Sequence, residues 1–254
     1  MAAVDELDRA ARDVVTRAQA RDLHLRTVGG VGIWQGLGDA HRRRFRAVRP
    51  PPADIDLVAP MRSSKAIKEV FESAGFAADT RLNTLRGDRR HRYYRLDAEA
   101  RPVIDVDVFL GAPPLCHPIE FGDRLGLPGP AMTPTDLLLQ KLQIVEVNAK
   151  DLTDICFLLA AHELGASEDA IVPDRVATLL SRDWGFHYTA GRNLEAANGA
   201  AVEALGDGDA TVVQAAIAAL REAIDAMPKS RRWRMRARVG TRAQWYEEVE
   251  EVER

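Results

Sequence analysis

Val103-Ile104-Asp105-Val106-Asp107-Val108-Phe109-Leu110 is the stretch on which the fold turns. β-Branched residues alternate with two acids until Gly111, which predicts a strand carrying Asp105 and Asp107 on one face. Upstream, Asp54-Ile55-Asp56-Leu57-Val58 shows the same alternation before Pro60 closes it. At a rise of about 3.3 Å per residue, the acids of each pair lie roughly 7 Å apart at Cα and point the same way. Leu25 to Val28 predicts a third, short strand, which runs into Gly29-Gly30-Val31-Gly32 and then into the start of a helix at Ile33-Trp34.

The remaining pattern places these strands. Val4, Leu7, Ala11, Val14, Val15 and Ala18 fall at helical spacing and predict an amphipathic helix over 3–22. Residues 35–53, rich in Gly and Arg and ending in Pro50-Pro51-Pro52, show no period and predict a loop. Ile67, Val70 and Phe71 predict a helix over 63–74. Residues 76–101 are polar and arginine-rich, with Tyr93-Tyr94-Arg95-Leu96 the best strand candidate, and 119–121 is a candidate short strand. From Thr133 the pattern becomes helical. Thr133-Pro134-Thr135-Asp136 offers an N-cap, a proline at the first helical position and a first-turn carboxylate, predicting a helix over 134–147. Further helices are predicted over 151–164, 173–181, 184–205 and 210–226. The expected class is α+β: a small mixed sheet flanked by helices over 1–132, a helical domain over 133–227, and a basic-then-acidic tail over 228–254.

Composition excludes several classes of function. The chain has 254 residues with 35 Lys+Arg against 38 Asp+Glu, a net charge of -3, and 46% hydrophobic residues, so it is neither disordered nor fibrous overall. No run reaches the roughly 18 apolar residues of a membrane span, and the start MAAVDELDRAARDVV lacks a basic head before an apolar run, so the expectation is a cytoplasmic protein without membrane association. Cys116 and Cys156 form no C-x-x-C pair and read as small buried side chains. The six histidines show no metal-ligand spacing, and Ser63-Ser64 and Thr133 lack a nucleophile motif, so zinc chemistry and acyl transfer have little support in the sequence. Charge is uneven: His41-Arg42-Arg43-Arg44-Phe45-Arg46 with Arg49 is one basic block, and Lys229, Arg231, Arg232, Arg234, Arg236 and Arg238 form another. The second block is the better nucleic-acid candidate, because Trp233 and Trp245 are interleaved with it. An acidic cluster of Glu247, Glu248, Glu250, Glu251 and Glu253 follows.

Two acid pairs on apolar strands concentrate like charge that a cation must offset. All-oxygen donors without His or Cys neighbours suit Mg²⁺, with Mn²⁺ as a substitute. A glycine pair at a strand-to-helix turn lets backbone N–H groups approach an anion, although Gly29-Gly30-Val31-Gly32 completes neither a G-x-G-x-x-G fingerprint nor a Walker motif.

Val28-Gly29-Gly30, then Asp54-Ile55-Asp56, then a later strand with a third acid resembles the DNA polymerase beta-like nucleotidyltransferase superfamily over about 25–111. Asp136-Leu137-Leu138-Leu139-Gln140-Lys141-Leu142 and Lys150-Asp151-Leu152-Thr153-Asp154-Ile155 extend the likeness to small bacterial AbiEii-like (MenA-type) nucleotidyltransferases. The resemblance implies a nucleotidyltransferase-like fold and transfer of a nucleoside monophosphate from an NTP such as ATP to an acceptor hydroxyl, with two Mg²⁺ ions. It implies that Gly29 and Gly30 hold the triphosphate and that Asp54 and Asp56 are metal ligands, with Asp107 preferred to Asp105 as the third. Lys141 would neutralise nucleotide phosphate, and Asp151 would position the acceptor or orient Lys141. RNA or a tRNA end is the favoured acceptor; a protein side chain, as in a toxin-antitoxin system, or a small molecule is the alternative. Two features differ from the family: the turn has no serine, and the interval from Gly30 to Asp54 is long. The rival reading is a catalytically silent nucleotide-binding or regulatory module. Oligomeric state is left open.

Overall fold

The computed structural model describes residues 3–85 and 87–249, so Met1, Ala2, and Glu250, Glu251 and Glu253 of the acidic cluster lie outside it. The chain is α+β and divides into two compact units. One is drawn from Met1–Gly36, Pro50–Pro113 and Glu120–Met132; the other from Leu37–Arg49, Pro114–Ile119 and Thr133–Arg254.

In the first unit, helix α1 (Val4–Gln19) buries Val4, Leu7, Ala10, Ala11, Val14, Val15 and Ala18, the apolar stripe its spacing predicts. Strand β1 (Arg26–Val28) passes without a linker into helix α2 (Gly29–Gly36), so the helix begins at the glycine pair itself, before Ile33-Trp34. After α3 (Asp39–Val48), which belongs to the other unit, come β2 (Ile55–Ala59), α4 (Ser64–Ser73), β3 (Ala77–Ala78), α5 (Thr80–Leu85), β4 (Arg90–Leu96) and β5 (Pro102–Leu110). The strands form one mixed sheet in the order β1-β2-β5-β4-β3. β2 runs parallel to β5, with Asp56 opposite Asp107; β1 is antiparallel to β2, and β4 to β5.

Alternation divides this sheet into two chemically different faces. Ile55, Leu57, Ala59, Tyr93, Val106 and Val108 pack with α1 and α4 residues, including Val14, Ile67 and Phe71, into one core. Phe71 stacks on Tyr93 with ring centroids 4.1 Å apart. The opposite face carries the remaining positions, among them Asp56, Asp107, Arg90 and Arg92.

The second unit also contains α6 (Pro134–Leu142), α7 (Ala149–Ala161), α8 (Pro173–Arg182), α9 (Trp184–Leu205), α10 (Asp207–Ala226) and α11 (Arg231–Val239). The Thr133 hydroxyl accepts the Asp136 N–H, and Pro134 opens α6, as the local sequence predicts. Gly206, at φ +79° and ψ 169°, is the single residue between α9 and α10 and adopts a backbone conformation that favours glycine.

Three local expectations are corrected. The segment 35–53 is not a loop, because α3 occupies Asp39–Val48; its one buried residue, Phe45, is too sparse an anchor to create a period. Residues 119–121 form no strand: Ile119 and Phe121 are buried in irregular chain. The arginine-rich stretch contains α5 and begins its strand at Arg90, three residues ahead of Tyr93.

Leu57 is fully buried at the centre of the sheet core. Leu57→Ala should cost about 2–5 kcal/mol of stability, read as a lower midpoint in urea unfolding with an unchanged slope.

Candidate active site

β2 and β5 bring their acids to one place because they are adjacent and in register. One carboxylate oxygen each from Asp54, Asp56 and Asp107 lies within 4.8 Å of the other two. Asp105 is outside this group. It stands opposite Tyr94 on β4, with its nearest cation, Arg92, at 3.9 Å. Of the two acids on β5, Asp107 is therefore the one that joins Asp56 on β2 and Asp54, which immediately precedes that strand.

The glycine turn lies against the same group. Gly29 has φ +61°, and a Cβ placed on it would stand 2.6 Å from Asp56 Oδ2. Only a residue without a side chain permits both the left-handed backbone and the approach of that carboxylate. Because α2 starts at Gly29, the N-terminal end of the helix, with its first-turn N–H groups and the positive end of its dipole, lies beside Asp56.

Arginines flank the acids on the other side. Arg90 forks onto Asp107, with Nε donating to Oδ1 at 2.9 Å and Nη2 to Oδ2 at 2.5 Å. Arg92 Nε lies 3.7 Å from Asp107 Oδ1. The Asp107 side chain is only 4% exposed. A carboxylate this buried must be paired, and Arg90 provides the pairing within the protein. The Arg90-His91-Arg92-Tyr93-Tyr94 alternation, with arginines at i and i+2, was the signal for these two residues that the motif reading missed.

The donor set fits a divalent cation of the Mg²⁺ type: three carboxylates, clustered, with no histidine or thiol in the group. The glycine turn itself carries no side chain, and the group set against Gly29 is the Asp56 carboxylate.

Lys141 and Asp151 belong to the second unit, where they join each other. Lys141 Nζ lies 2.9 Å from both Asp151 Oδ1 and Asp154 Oδ2. Arg49 completes the network, with Nε 2.7 Å from Asp154 Oδ1 and Nη2 2.9 Å from Oδ2. Asp151 also closes a capping box with Asn148 at the start of α7. Burial alone would raise the Asp154 pKa, but Lys141 and Arg49 outweigh it and hold the carboxyl below the usual range. Burial alone would lower the Lys141 pKa, but Asp154 and Asp151 outweigh it and raise it.

No family model matches the chain, and no curated protein matches it. Among the described residues, no helix is long and apolar enough to cross a membrane.

Two outcomes are expected. Gly29→Ala should displace Asp56 and weaken Mn²⁺ binding, titrated by electron paramagnetic resonance, while leaving far-ultraviolet circular dichroism unchanged. Asp154→Asn leaves Lys141 and Arg49 buried without their shared anion and should cost about 3–5 kcal/mol. The depressed Asp154 pKa contributes stability that is present above the ordinary carboxylate range and lost as pH falls through its folded value. The raised Lys141 pKa contributes stability that holds below the ordinary lysine range and is lost as pH rises through its folded value. Thermal unfolding of wild type should therefore show an acid limb that Asp154→Asn flattens.

Proposed function

We propose that the first unit is the active site of a nucleotidyltransferase, which moves a nucleoside monophosphate from an NTP to an acceptor hydroxyl. The observation that carries the proposal is the convergence of Asp54, Asp56 and Asp107 beside the Gly29 turn. Three converging acids and an anion-accepting turn are the two halves of a phosphoryl-transfer site. The assignment of the metal and triphosphate sites rests on residues of this unit alone.

Asp54, Asp56 and Asp107 would hold the two Mg²⁺ ions. Bound there, the cations would supply charge compensation for the attacking and leaving oxygens of the α-phosphate. Gly29 and Gly30 bind the triphosphate through backbone N–H groups at the start of α2. In the transfer, the acceptor oxygen forms a bond to the α-phosphorus as the bond to the bridging oxygen breaks. Pyrophosphate leaves, and a carboxylate of the group takes the hydroxyl proton. RNA is the favoured acceptor on the strength of the basic, tryptophan-bearing segment 229–245, part of which forms α11.

One observation favours the silent-module reading instead: Arg90 already bonds both oxygens of Asp107. The two readings part in a single assay. Protein with Mg²⁺, each α-labelled NTP in turn and total RNA should transfer label, and Asp56→Asn should reduce transfer to background. Transfer that survives the substitution removes the assigned site. NTP binding without transfer selects the silent module.

A further inference from the structure

The face that bears the acids continues past them to β4. Cross-strand register aligns Val28, Asp56, Asp107 and Arg92 in one row over β1, β2, β5 and β4. At about 4.8 Å between strands, the row is about 14 Å long. Gly29 follows Val28, so the row begins at the glycine turn, passes through two acids and ends on an arginine. Arg90 lies on the same face, two residues from Arg92.

The two arginines differ in what they bond. Arg90 is committed to Asp107, and its guanidinium lies 5.6 Å from the Phe109 ring centroid. Arg92 lies 5.7 Å from the Tyr94 ring centroid, and that ring is itself fixed by a 2.9 Å hydrogen bond from its hydroxyl to Asp79. Yet the Arg92 guanidinium makes no hydrogen bond among the described residues. Its nearest carboxylate oxygens stand at 3.7 Å (Asp107, from Nε) and 3.9 Å (Asp105, from Nη2), and its buried Nε has no hydrogen-bond partner. The side chain is only 12% exposed. A planar cation held against a ring, largely withdrawn from water and with unused donors, is prepared for an oxyanion that neither acid supplies at bonding distance.

In-line displacement fixes which reactant that anion belongs to, an argument that rests on the nucleotidyltransferase reading. The leaving pyrophosphate lies on the glycine turn, at the β1 end of the row. The attacking hydroxyl enters from the opposite side of the phosphorus, at the β4 end. We propose that Arg92 binds a phosphate group of the acceptor, so that the acceptor is a phosphorylated molecule whose hydroxyl reaches the acids while its phosphate rests on β4. Arg92 is one strand spacing, about 4.8 Å, beyond Asp107. A phosphate suits the Arg92 guanidinium because two of its oxygens can accept from the planar fork at once. The phosphate can come from a polynucleotide backbone or from a small phosphorylated hydroxyl compound.

The test uses the full chain without metal or NTP, as wild type, Arg92→Gln and Arg92→Lys. Calorimetry with ribose 5-phosphate and fluorescence anisotropy with a labelled RNA oligonucleotide separate the two sources. Arg92→Gln should weaken whichever probe binds by about 10–100-fold, with Arg92→Lys intermediate. If RNA is the probe that binds, the slope of log affinity against log salt should also fall by about 0.7. Arg92→Lys keeps a cation on the strand and reports on the site if the glutamine variant does not fold. Equal affinity of wild type and both variants for each probe, or no binding of either probe to wild type, overturns the inference. If Asp56→Asn abolishes label transfer while both Arg92 variants bind the probes normally, the inference fails and the nucleotidyltransferase reading stands. If Arg92→Gln loses the probe but no NTP ever yields transfer, the reading fails and the anion site stands.

Discussion

Repulsion among three carboxylates is the constraint on which the rest of the first unit depends. Asp54, Asp56 and Asp107 approach within 4.8 Å at a place where Asp107 is almost wholly buried. Such an arrangement persists only with positive charge close by. The sheet order supplies it from within. β5 lies between β2 and β4, so Asp107 has a like charge on one side and arginine on the other. The dipole of α2 adds a positive field at Asp56. A cation at the acids would relieve the same repulsion, which makes Arg90 a built-in competitor or companion for whatever binds there.

The acid-bearing strands were legible because two signals coincided on them. Alternation located β2 and β5, and placing acids at every second position of apolar strands is costly enough to flag chemistry. The glycine turn was legible for its position, but its decisive property, the approach of Asp56 to within 2.6 Å of where a Cβ would lie, depends on a strand more than 20 positions away. α3 left no trace because a helix with one buried side chain has no apolar stripe, and α5 buries none. Arg90 and Arg92 were hidden in a stretch whose arginines look solvated until β4 pairs with β5.

Lys141 and Asp151 show the opposite case. Their motif suggested work on a ligand, and the geometry gives each charged partners within the protein: Asp151 caps α7 and holds Lys141, while Asp154 binds Lys141 and Arg49 together. A charged residue at motif spacing thus has two readings that sequence alone leaves equal. Arg92 and Lys141 are each about one-eighth exposed, yet one has unused donors and the other bonds two carboxylates.

The parallel pairing of β2 with β5 also sets when the site comes into being. Asp56 and Asp107 face each other across some fifty intervening positions, and α4, β3, α5 and β4 must be threaded between them. Local contacts such as the β4–β5 pairing form cheaply, whereas this closure is entropically expensive and belongs to the slow, high-contact-order part of folding. During synthesis the chain exposes each acid strand separately and acquires a joined carboxylate group only after β5 has emerged. A nascent fragment that stops short of β5 lacks Asp107 and so cannot hold the three carboxylates together.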